Sequence, residues 1–100
     1  MNTLFLLMAQ YSGQAIVPLA TVRQDYFSHL TPEKLQRKTM GGEIDLPITR
    51  IEGSQKAAKG VHLEDLAKYL DEQRRIAVAE NDKLHGRFRK ASELQPTARA

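Results

Sequence analysis

Cysteine is absent from the 100 residues, which excludes disulfides, thiolate catalysis and cysteine-ligated zinc and suits a reducing cytosol. Long apolar runs are missing too. The stretch Leu4-Phe5-Leu6-Leu7-Met8-Ala9 falls far short of the roughly 20 residues a helix needs to cross a bilayer. No Lys or Arg precedes it, and it runs into Gln10-Tyr11 instead of a small-residue cleavage site, so it does not read as a secretory signal. The expectation is a soluble, cytoplasmic protein with no membrane partner.

Catalytic constellations are also lacking. His29, His62 and His85 are dispersed along the chain, with no HExxH and no acidic calcium loop. Gly41-Gly42, Gly53 and Gly60 do not form a phosphate-cradling loop followed by Lys-Ser/Thr, and there is no GxSxG elbow. The expectation is no metal, no cofactor and no enzyme activity. Internal repeats and low-complexity tracts are absent as well.

What is present fits one small domain with one modest core. The net charge of +3 permits nucleic-acid binding without arguing for it, because position matters more than the sum. Much of the basic charge falls in three places: Lys34, Arg37 and Lys38; the segment Arg50 to Lys59; and Arg87 to Lys90. Each Lys or Arg taken alone is more often an ordinary solvated surface charge than a phosphate contact.

The most informative stretch is Val22 to Leu46, which reads as helix, tight turn, second helix and abrupt stop. Val22, Tyr26 and Phe27, with Leu19 one turn earlier, give the first helix an apolar face. Thr31-Pro32 opens the second, since a threonine caps free backbone N–H groups and proline fits the first helical position. Gly41-Gly42 stops it. With Leu35 inward and 100° per residue, Thr31, Thr39 and the stem of Lys38 lie toward the core. Glu33, Lys34 and Arg37 face outward, and Gln36 and Met40 flank them. Two short helices across a tight turn are the skeleton of a helix-turn-helix DNA reader.

Upstream, Thr3 to Tyr11 and Gln14 to Pro18 flank Ser12-Gly13, which predicts an N-terminal β-hairpin. Leu4 to Met8 does not alternate, so a short helix there stays open. Downstream, Glu43 to Ile51 alternates polar and apolar residues, with Pro47 pointing to an edge strand, and Gly60 to Leu63 suits a returning strand. The basic turn between them has the form of a wing, and equally of a surface hairpin loop. Leu63 to Ala79 carries Leu63, Leu66, Ala67, Leu70, Arg74 and Ala77 at helical spacing, with Glu64-Asp65 in the first turn. Tyr69, Gln73 and Ile76 lie on a neighbouring stripe, available to the same core or to a second copy. The expected organisation is a domain over residues 1–80 and a fraying helix end with a basic tail over 81–100.

The strings Phe5-Leu6-Leu7-Met8-Ala9-Gln10-Tyr11, Asp25-Tyr26-Phe27, His29-Leu30-Thr31-Pro32, Ser54-Gln55-Lys56 and Lys59-Gly60-Val61-His62-Leu63, in this order, resemble the pyocin activator (PrtN-like) family over roughly residues 2 to 75. The resemblance implies a bacterial transcriptional activator of pyocin genes, which encode phage-tail-like bacteriocins. Its partners would be double-stranded promoter DNA and, as an activator, RNA polymerase.

The combined expectation is an α+β fold of winged helix-turn-helix type, similar in layout to excisionase and MerR-type readers, with a long C-terminal helix. Residues 31–40 would enter the major groove, with Arg37 on guanine, Lys34 on base or phosphate, and Gln36 on adenine. Thr31 would present a helix start to a phosphate, and Lys38 adds charge. Arg50, Ser54, Gln55, Lys56 and Lys59 would hold the DNA backbone. A recognition helix of about ten residues covers little DNA, so a homodimer or higher homo-oligomer on repeated or inverted half-sites is expected. The alternative is a non-enzymatic interaction module, such as an anti-repressor, using the same basic helix on an acidic protein surface.

Overall fold

The computed structural model describes residues 2–53 and 58–86. They form four helices and a three-stranded antiparallel sheet, an α+β arrangement. The order is α1 (Thr3–Gln10), β1 (Ile16–Pro18), α2 (Leu19–Tyr26), α3 (Pro32–Met40), β2 (Thr49–Arg50), β3 (Lys59–His62) and α4 (Leu63–Leu84).

The expected N-terminal hairpin is not formed. Asn2 caps α1, its side-chain oxygen accepting the Phe5 N–H at 2.9 Å, and Leu7 and Tyr11 turn into the core. Ser12-Gly13 ends this helix instead of turning a hairpin. Both residues take positive φ, 55° and 77°, and the Gly13 N–H closes on the Met8 carbonyl at 2.7 Å. A left-handed pair serves a hairpin turn and a helix stop equally well; here it stops α1, and β1 finds its partner in β3.

β1 pairs instead with β3, the central strand, with Val17 opposite Val61; β2 lies on the other side, with Thr49 opposite Gly60 and Arg50 opposite Lys59. Pro18, which cannot donate to a ladder, sits on the edge strand β1, as its chemistry requires. Gly60 lets the strands approach. A Cβ there would stand 2.5 Å from Ile16 Cγ2 and 2.9 Å from the Val17 carbonyl oxygen.

Val17, Val22, Phe27, Leu35, Leu46, Val61, Leu63, Leu66 and Ala67 close the core with Leu7 and Tyr11. α1 lies against α4. A hydrogen bond joins Thr3 to Asp71, and the Tyr11 hydroxyl donates to Asp25 at 2.7 Å. α4 begins on His62, whose Nδ1 accepts the Glu64 N–H at 3.1 Å. It runs on to Leu84, five residues beyond the Leu63 to Ala79 span read from the periodicity. Among the described residues no helix is long and apolar enough to cross a membrane.

Candidate nucleic-acid interface

α2 and α3 meet at a turn held from both sides. The Leu30 N–H bonds the Phe27 carbonyl at 2.9 Å, and the Arg23 guanidinium reaches the Leu30 carbonyl at 3.0 Å. The side-chain oxygen of Thr31 then accepts the Lys34 N–H at 3.2 Å, and Pro32 takes the first position of α3. At the far end the Gly41 N–H closes on the Arg37 carbonyl at 2.8 Å, and Gly42 adopts φ 82°. These contacts fix α3 as a short, sharply bounded rod.

Its faces separate as the 100° spacing predicts. Leu35 is 1% exposed and anchors the helix. Glu33, Lys34, Gln36, Arg37 and Met40 are exposed, and Lys38 and Thr39 are half-buried. Thr31 departs from the expectation: it is exposed, with its hydroxyl engaged in the cap. Lys38 reaches Glu43 at 3.4 Å, so part of its charge is offset locally. Among the described residues Lys34, Arg37, Arg50 and Lys59 form no ion pair.

Arg50 and Lys59 face each other across β2 and β3. Like charges directly opposite on neighbouring strands repel, so the pair is a site that an anion would relieve. Both line a cleft whose other wall is Gln36, Thr39 and Met40 of α3. The structure thus brings Gln36 together with Arg50 and Lys59, while Arg37 shares the open outer face of α3 with Glu33, Gln36 and Met40. Ser54, Gln55 and Lys56 lie outside the described residues.

Charge is sorted around this cleft. Beyond Pro47, which lines both hollows, a second one is walled by Asp45, Asp65 and Glu72 together with Lys68. There Arg75 bonds Glu72 at 2.6 Å and holds its carboxyl below the usual range.

Two exposed apolar residues near this cleft were not among the site residues read from the sequence. Met40 is 71% exposed and Ile51 64% exposed, the first at the end of α3 and the second just beyond Arg50. For Met40 the available signal was a large apolar residue away from the Leu35 side of a helix. Tyr69, assigned to self-association, is half-buried and packs on Phe27 with ring centroids 5.6 Å apart. Burial raises its hydroxyl above the ordinary tyrosine value. Gln73 and Ile76 are exposed. Among the described residues no cluster of three or more His, Cys, Asp or Glu is arranged to hold a metal.

No curated protein and no solved structure matches the chain. The family model described as pyocin activator protein PrtN matches residues 3–77, from the start of α1 well into α4. The chain belongs to the pyocin activator family.

Proposed function

We propose that the protein is a sequence-specific DNA-binding activator of pyocin genes, a winged helix-turn-helix reader in the cytoplasm, associated with the nucleoid. α3 enters the major groove, and the β2–β3 hairpin lies on the sugar-phosphate backbone. The observation that carries this reading is the opposed Arg50–Lys59 pair beside the exposed face of α3. Two cations with no acid partner among the described residues form one wall of a cleft, and Gln36 and Met40, able to meet base edges, line the other. Family membership supplies the activator role.

The roles divide by chemistry. Arg37 suits bidentate bonding to guanine and Gln36 to adenine, while the Met40 methyl suits the 5-methyl of thymine. Lys34, Arg50 and Lys59 carry no sequence information on a phosphate but set register. Nine residues of α3 contact too few bases for useful selectivity, so the protein acts as a dimer on half-sites about one helical turn apart. RNA polymerase is the further partner an activator requires.

Selection of bound sites from random duplexes tests DNA binding and half-site spacing together. Enrichment of a repeated or inverted motif is expected. If no duplex is retained even at low salt, the DNA reading fails and the basic face belongs to an acidic protein surface.

A further inference from the structure

α1 is apolar around most of its circumference, with Thr3 and Gln10 side by side on one flank. Stepping 100° per residue, Leu4, Leu7 and Tyr11 occupy the side packed into the core. The opposite arc takes Met8, Phe5, Ala9 and Leu6 in angular order, and all four are exposed. Phe5 is 57%, Leu6 56% and Met8 41% exposed. A helix hydrophobic on both sides is ordinarily covered on both, and a contiguous exposed apolar patch marks an interaction surface.

The patch is held in place. α1 is tied to α4 through Thr3 and Asp71, and to α2 through Tyr11 with Asp25 and Tyr26 with Gln10. Its lack of charge favours a second copy as the occupant over a charged surface. The first charged side chain in the sequence is Arg23, so nothing on α1 repels its own copy. A two-fold contact sets a patch against itself. That suits an uncharged apolar surface and would be unfavourable for the basic face of α3.

We propose that the outward face of α1, centred on Phe5, Leu6 and Met8, is the surface through which two copies of this chain associate. It gives the dimer advanced above a contact surface, and it displaces the stripe that included Tyr69, whose ring is already engaged by Phe27. A standard interface buries roughly 800 Å² on each partner, more than three side chains supply. The dimer is therefore concentration-dependent in solution and draws on the polar flanks of the helix.

The absence of native cysteine makes the test direct. In full-length Phe5→Cys, Leu6→Cys and Met8→Cys the introduced thiol is the only one in the chain. Mild oxidation should give an inter-chain disulfide in at least one of them and not in Gln36→Cys on α3 or Gln73→Cys on α4. Light scattering should show a dimer for the wild type and a monomer for the Phe5→Lys/Leu6→Lys variant. Circular dichroism should match between the two, because both side chains are exposed. A wild type that stays monomeric at every concentration overturns the proposal. So does cross-linking through position 73 with none through α1, or a dimer that survives the double lysine change. DNA is absent throughout, so a dimer that binds no duplex removes the DNA reading and leaves this one standing.

Discussion

At the scale of single residues, under the proposed DNA reading, Arg37 on the outer face of α3 and Lys59 in the adjoining cleft do different work. Arg37 is exposed on the outer side of α3, so Arg37→Ala should relax preference at one base pair by about 1–3 kcal/mol. Lys59, opposite Arg50, should act through phosphate. Lys59→Ala should weaken binding to all duplexes about equally and reduce the log–log salt slope by about 1. Competition against single-base variants of the selected site, repeated over a salt series, measures both. Equal loss on every sequence for both variants would refute the division of labour. Met40 offers a test specific to thymine. Uracil at the contacted position removes only the 5-methyl, and the resulting loss of affinity should vanish in Met40→Ala.

Tyr11 belongs to stability. Burial first, then its hydrogen bond to Asp25 and the charge of that carboxylate, push its hydroxyl well above the ordinary tyrosine value. A raised folded-state value means the protonated form stabilises. That contribution is complete below the unfolded value of about 10 and is lost as pH rises beyond it. Tyr11→Phe should cost about 1 kcal/mol at neutral pH, and the gap to wild type should close in alkali. Urea titrations at the two pH values decide it; a gap independent of pH would mean the hydroxyl contributes nothing through its proton.

At the scale of elements, the boundaries of α3 were legible because their causes are local. Thr31, Pro32 and Gly41-Gly42 act through the backbone within a few residues, and the cap forms as the residue types require. Thr31→Ala should lower stability by about 1 kcal/mol, measurable by thermal melting. α1 was not legible in the same way. Leu4, Leu7 and Tyr11 are spaced for a helix, yet Ser12-Gly13 serves either a helix stop or a hairpin turn. Only the pairing of β1 with β3 shows which use it takes. The role of Gly60 was equally hidden, because the atoms that exclude a Cβ there belong to Ile16 and Val17 on another strand. Gly60→Ala should destabilise by about 1–3 kcal/mol, and a melting temperature equal to wild type would mean β1 can shift away freely.

At the scale of the whole molecule, the net charge of +3 says little, and its distribution says more. Lys34, Arg37, Arg50 and Lys59 lie on α3 and the β2–β3 strands, while Asp45, Asp65 and Glu72 lie beyond Pro47 with Lys68 and the Glu72-bound Arg75 among them. Binding to random duplex DNA should therefore fall with salt at a slope of roughly −0.9 for each phosphate neutralised. An affinity indifferent to salt would not fit this surface.

Local chemistry, read along the chain, sufficed for the helix–turn–helix succession of α2 and α3 as local structure, for the inward Leu35 and exposed Arg37, and for the start of α4. Capping, proline placement and helical period depend on neighbours a few residues away. Tertiary structure alone decided that β1 joins the sheet, that Tyr69 is engaged by Phe27, and that Arg50, Lys59 and Gln36 share one cleft. It also left one face of α1 uncovered. Each of these depends on segments far apart in sequence meeting in space, and pairing or packing at that distance leaves no periodic or local trace in the residues themselves.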